Sequence, residues 1–266
     1  IVDLRHAPRD AAGKVRYDVD FTILRPRVAT QARRVMIYDV VNRGNRLVLS
    51  LNGNPADNAF LMRQGYTLVW SGWQGDIAGA NAIAARLPVA TDRGRPLTGR
   101  ISVEAEIDPV RTGRITLAYP AATRDPASAR LTVRVHADDR EQTVPPANWQ
   151  WEDDSHIRVT APQGMDAGAI YRFAYTARDP RVMGLGFAGV RDLVGFLRQA
   201  GAEQGNPLAD LAAAPCERTS AGTCMKATGA FDIAIGYGAS QSGRFLRDFV
   251  YQGFNRANNG ARVFDG

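Results

Sequence analysis

Lysine is almost missing from this sequence of 266 residues: of its 33 basic residues only Lys14 and Lys226 are lysine, and the rest are arginine. The arginines are scattered rather than gathered into a stripe interleaved with aromatics, so the net charge of +6 marks no nucleic-acid-binding face. No stretch approaches the roughly 18 apolar residues a membrane helix needs, and no membrane span is expected. Cysteine is limited to Cys216 and Cys224. They lie in a loop rich in Gly, Ser and Thr and suit a small loop-closing disulfide, since a zinc site would need more ligands nearby; such a bond fits a periplasmic or secreted protein. Histidine occurs only at His6, His136 and His156. No metal or organic cofactor is implied. With 45% hydrophobic and 23% charged residues the chain can still bury a sizeable core, as one large domain or two smaller ones.

The opening third alternates strands with turns. Strands are expected at 17–24, 34–41 and 46–51, with Asn42-Arg43-Gly44-Asn45 as the turn between the last two. Asn52-Gly53-Asn54-Pro55 ends the third strand, a short helix over 56–64 is stopped by Gly65, and a buried strand over 66–71 completes a βαβ unit, which implies parallel pairing. From about residue 100 the texture changes to period-two alternation: Val103, Ala105 and Ile107 alternate with Ser102, Glu104 and Glu106, as in a half-buried antiparallel strand. Helical period returns with Phe187, Val190, Leu193, Val194 and Leu197, and Gly201 is placed as a stop. A short apolar strand over 231–237 then leads into a second amphipathic helix with Phe245, Leu246, Phe249 and Val250 on its apolar face.

Between that strand and that helix lies Gly238-Ala239-Ser240-Gln241-Ser242-Gly243. A glycine two residues before a serine, with small residues after it, is the layout of a nucleophile elbow. The turn is so tight that only small side chains fit where strand and helix nearly touch, and the serine takes a strained backbone that lifts its hydroxyl clear. Ser240 is therefore the candidate nucleophile. Ser242 stands where glycine is usual. Three other readings compete: a glycine-rich packing turn, a dinucleotide-binding loop, and Ser242 as the nucleophile. The second lacks the third glycine of its fingerprint, and for the third no glycine precedes by two. The amide of Gln241, at the helix N-terminus, and an amide of Gly53 or Asn54 are the candidate oxyanion donors; Pro55 has none to offer. Trp70, Trp73 and Trp149 would line an apolar substrate pocket or serve as core aromatics.

Three longer segments, Phe60–Asp76 (FLMRQGYTLVWSGWQGD), Tyr175–Leu197 (YTARDPRVMGLGFAGVRDLVGFL) and Gly236–Gly266, resemble the large bacterial alpha/beta hydrolase domain-containing proteins. The resemblance implies an α/β-hydrolase core, a mostly parallel sheet with helices on both faces. That core would be formed by 1–84 and 177–266 and interrupted by a β-rich antiparallel insert over 85–176. It also implies a serine hydrolase acting on a small-molecule carboxylic ester through an acyl-Ser240 intermediate. A triad of this kind runs Ser, then Asp or Glu, then His, yet every histidine here precedes Ser240. Asp248, the next acid, is expected to pair with Arg244. The missing acid and histidine are accordingly expected beyond residue 266, on a C-terminal continuation or a second chain. The alternative is a non-catalytic binding module with a vestigial elbow.

Overall fold

Two kinds of hydrophobic pattern, continuous and alternating, decide how the strands of this chain pair. The computed structural model describes residues 1–50, 60–77, 79, 81–107, 113–160, 168–225 and 229–266. Along the chain come β1 (Asp18–Val19), β2 (Phe21–Leu24), β3 (Val35–Asp39), β4 (Thr67–Ser71) and β5 (Ala85–Arg86). They are followed by β6 (Thr91–Asp92), β7 (Arg95–Pro96), β8 (Thr98–Glu106), β9 (Gly113–Thr116), β10 (Arg130–Arg134), β11 (Gln142–Val144), β12 (Trp149–Asp153), β13 (His156–Val159), β14 (Ile170–Arg178) and finally β15 (Ile233–Tyr237). The α-helices among the described residues are α1 (Phe60–Arg63), α2 (Leu185–Gln199) and α3 (Gln241–Tyr251). None is long and apolar enough to cross a membrane.

The chain divides into two compact units, one formed by 1–4, 16–87 and 183–266 and the other by 5–15 and 88–182. In the first, a four-stranded sheet has the order β15-β3-β4-β2. β3 and β4 are buried at every position, and such strands, covered on both faces, pair in parallel: β3 with β4 and β15 with β3. β2, partly exposed, runs antiparallel to β4. Met36, Tyr38, Val69 and Ala234 pack with Val190, Val194 and Leu197 of α2 and Phe245 and Phe249 of α3. On the other face Ile37, Leu68 and Trp70 pack with Val41, Val48 and Ile83, which lie outside the sheet. The outer edge of β15 is met by backbone: the Asp265 amide donates to the Ala234 carbonyl at 2.7 Å and the Gly236 amide to the Gly266 carbonyl at 2.9 Å.

The second unit is built from alternation. In β14, Tyr171, Phe173, Tyr175 and Ala177 are buried and the residues between them are less so. One antiparallel sheet has the order β11-β10-β14-β8 and another the order β12-β13-β9. Their inward residues, among them Leu131, Val133, Phe173, Ile115, Ile157 and Trp149, form one core. Outward residues pair by charge, Arg134 with Glu104 at 3.0 Å and Arg172 with Glu141 at 3.2 Å.

The expectation of a mostly parallel α/β-hydrolase core is thus corrected. Among the described residues the chain is mostly β, with antiparallel sheets and few helices, and parallel pairing is confined to β15, β3 and β4. The physical reason is that most of its strands alternate wet and dry residues, which suits hairpin-linked antiparallel ladders; each parallel pair instead demands a buried crossover. The expected strand over 46–51 is also replaced, by a short 3₁₀ turn at Val48–Ser50. The amides of Leu47 and Val48 donate to the carboxylate of Asp39 and so are not available to a ladder. Ahead of β15, Cys216 and Cys224 are disulfide-bonded.

Phe173 has no exposed surface and packs edge-on against Trp149 and Trp151, with ring centroids 5.1 and 5.3 Å away. Phe173→Ala should therefore destabilise the second unit by about 3–5 kcal/mol, read by tryptophan fluorescence in a urea titration. A loss below about 1 kcal/mol would show that this aromatic cluster is not the core of that unit.

Candidate functional site around Ser240

The apolar strand β15 and the amphipathic helix α3 meet at Ser240, which has φ 54° and ψ −118°. A side-chain-bearing residue in this region carries strain on the order of 1–3 kcal/mol and persists only when its surroundings hold it. The sequence supplies that hold locally. A Cβ added to Gly238 would lie 2.7 Å from the carbonyl carbon and oxygen of Ser242 and 3.0 Å from the Gly243 nitrogen, so only glycine lets the strand end pass the helix start. Ser242 is fully buried, and its hydroxyl donates to the Ala239 carbonyl at 2.9 Å while accepting from the Ala239 amide at 3.0 Å. Serine at this position thus staples the turn, and the same two bonds rule out Ser242 as the exposed nucleophile.

Ser240 itself is exposed, and its hydroxyl has no hydrogen-bond partner among the described residues. The Gln241 amide opens α3, where the first-turn N–H groups lack helical partners and face any developing negative charge. The other oxyanion candidates, Gly53 and Asn54, lie outside the described residues. Trp73 is partly exposed; its indole N–H donates to the Val41 carbonyl at 2.7 Å and its ring lies 4.5 Å from that of Phe245. Trp70 has no exposed surface, donates to Asp39 at 2.6 Å, and belongs to the core rather than to a pocket wall. Trp149 is likewise a core residue, of the second unit. Asp248 pairs with its neighbour Arg247 at 3.0 Å and not with Arg244.

Two residues that sequence reasoning passed over stand close to the elbow. Asp39 ends β3, in register with Tyr237 of β15, and is completely buried. Its Oδ2 accepts from the Leu47 amide at 2.6 Å, the Val48 amide at 2.8 Å and the Trp70 indole at 2.6 Å, whereas Oδ1 has no partner among the described residues. Burial pushes its carboxyl above the usual range, against the hydrogen bonds from Val48, Leu47 and Trp70 and the charge of Arg46. Asn42 donates from Nδ2 to the Ala239 carbonyl at 3.2 Å. The available signal was the acid itself, a single charge inside the apolar run Val35–Val41.

No histidine belongs to the unit that carries Ser240. In the other unit His6 contacts the Thr91 carbonyl at 3.2 Å, His136 is bound to Asp139 at 3.1 Å and His156 to Asp153 at 2.9 Å. Among the described residues no three His, Cys, Asp or Glu side chains are grouped as metal ligands. No protein-family model, curated protein or solved structure matches the chain.

Two outcomes follow from this geometry. Gly238→Ala forces a backbone contact that no side-chain rotation relieves, and it should cost about 1–3 kcal/mol of stability in a thermal melt; an unchanged melt would show that the turn has room for a Cβ. For Asp39, a folded pKa raised above the unfolded value near 3.8 means that the folded state holds the proton more tightly. The resulting stability is complete below the unfolded value and is lost as pH rises through the folded one. Relative to Asp39→Asn, which does not titrate, the native protein should lose stability as pH climbs from below 3.8 through the raised value. A difference that is flat with pH would show that the three hydrogen bonds balance burial, and one that grows in favour of aspartate that they outweigh it; either would overturn the raised pKa.

Proposed function

We propose that the protein is a serine hydrolase that cleaves small-molecule carboxylic esters through a covalent acyl-Ser240 intermediate. The observation that carries this reading is the strained, exposed Ser240 at a strand-to-helix turn, with φ 54° maintained by Gly238 and Ser242. Strain of this kind at an exposed polar residue is the mark of a site whose geometry matters more than local stability. The resemblance of 60–76, 175–197 and 236–266 to bacterial serine hydrolases supports the same activity.

In the proposed reaction the Ser240 oxygen attacks the ester carbonyl carbon as its proton passes to a base. The negative charge forms on the carbonyl oxygen, where the Gln241 amide would stabilise it with a second donor from Gly53 or Asn54. Collapse breaks the bond to the alcohol, which leaves with the proton, and water then releases the acid by the same route. A serine hydroxyl is a weak nucleophile without that base, so the reading requires an imidazole or equivalent group from outside the unit that carries Ser240. The disulfide supports an oxidising compartment such as the periplasm or the exterior. The histidine-free unit favours a second reading, a non-catalytic binding module that keeps the elbow as a relic.

A fluorophosphonate probe separates the two. Under the hydrolase reading the full gene product forms an adduct on the peptide containing Ser240, and Ser240→Ala abolishes it and lowers hydrolysis of a p-nitrophenyl ester by at least about a thousand-fold. Folded protein that takes up no probe at Ser240 would sink the hydrolase and leave the binding module.

A further inference from the structure

We infer that Asp39 and Asn42 are positioning residues for Ser240, acting together as a brace that holds the strained Ala239–Ser240 peptide. The inference deepens, and as a statement about reactivity rests on, the hydrolase reading. The segment that leaves β3 at Asp39 comes back to the same side chain: Asp39 Oδ2 takes the amides of Leu47 and Val48, closing residues 39–48 into a loop. Along that loop several contacts fix it against the elbow or its supports, while Gly44 and Arg46 bond elsewhere, to the Ile83 amide and the Thr22 hydroxyl. The Val40 amide donates to the Tyr237 carbonyl at 2.8 Å, the last residue of the nucleophile strand. The Val41 carbonyl accepts from Trp73, and the Arg43 amide donates to Oε1 of the buried Gln74 at 3.1 Å. Asn42 and Asn45 exchange both backbone bonds at 2.9 Å, a small clasp that holds the Asn42 side chain forward. From that clasp Nδ2 reaches the Ala239 carbonyl, the oxygen of the peptide that precedes Ser240.

The Ala239 carbonyl accordingly has three donors, the Ser242 amide at 3.2 Å, the Ser242 hydroxyl at 2.9 Å and Asn42 Nδ2 at 3.2 Å. Two come from within the elbow and would follow it if it relaxed. Among the described residues Asn42 alone reaches this carbonyl from outside the elbow, and so ties the peptide's orientation to the loop that leaves β3. Asp39 supplies the rigidity behind that arm. A carboxylate can accept several hydrogen bonds from backbone and indole N–H groups at once, and burial makes each of them costly to break. Neither residue need touch substrate. Their effect on chemistry passes through the placement of the Ser240 oxygen, where a displacement of about 1 Å can cost about a hundred-fold in rate.

The test combines amide hydrogen exchange with probe kinetics on the full protein. Asn42→Ala removes only the arm of a half-buried loop residue; Asp39→Asn keeps the shape and weakens the acceptor. Both variants should speed exchange at the Ala239 and Ser242 amides by roughly ten-fold or more, and Asp39→Asn should also speed Leu47 and Val48. Both should slow fluorophosphonate reaction at Ser240 by about ten-fold or more, and for Asn42→Ala this should occur with a melting temperature close to the native one. Exchange at Ala239 and Ser242 that stays native in Asn42→Ala would overturn the brace, as would faster exchange at Leu47 and Val48 in Asp39→Asn with no change at the elbow. If the native protein takes up no probe, the hydrolase reading falls, and the exchange comparison still decides whether the brace exists.

Discussion

A carboxylate without solvent must find its hydrogen-bond donors inside the protein, and Asp39 finds three within 2.8 Å. The cost of taking that charge out of water is offset in part by those three bonds, and losing any of them would raise it, which makes the surrounding backbone cooperative. Strand β3 cannot shift without losing the loop at Leu47 and Val48, and β4 cannot shift without losing Trp70. Because β3 is a strand that pairs with β15, the base of the turn at Ser240 inherits this fixed register. The same capture explains a local departure from expectation. Residues 46–51 have the composition of a strand, yet with two amides already donated Val48–Ser50 form a 3₁₀ segment.

At the other end of β15 the constraint is steric rather than electrostatic. Gly238 has no room for a Cβ, and Ser242 occupies the position after the elbow because a hydroxyl there can bond to both polar groups of Ala239. Glycine would satisfy the space but deprive the Ala239 amide of this acceptor and its carbonyl of one of three donors. The substitution of serine for the usual glycine is therefore a stabilising device, which turns an apparent weakness of the motif into part of its support. On the proposed hydrolase reading, the exposed Ser240 hydroxyl on this strained and doubly supported backbone would be the attacking group, and it would still need a base. The histidines belong to the other unit, and two of them are tied to aspartates within three residues of themselves.

What the sequence by itself determined is local. The tight turn at Ser240, the amphipathic faces of α2 and α3, the alternation in β8 and β14, and the short disulfide loop all follow from residues within a few positions of one another. Steric limits and period suffice for them. What only the tertiary structure decided is the pairing of distant segments: that most sheets are antiparallel, that Trp70 is core while Trp73 keeps some exposure, and that Asp39 is a buried anchor rather than a surface acid. Each depends on which partner lies opposite, and for Asp39 those partners sit 8, 9 and 31 residues away. A strand's own residues state how many of its faces are dry, and they do not state which strand will lie beside it.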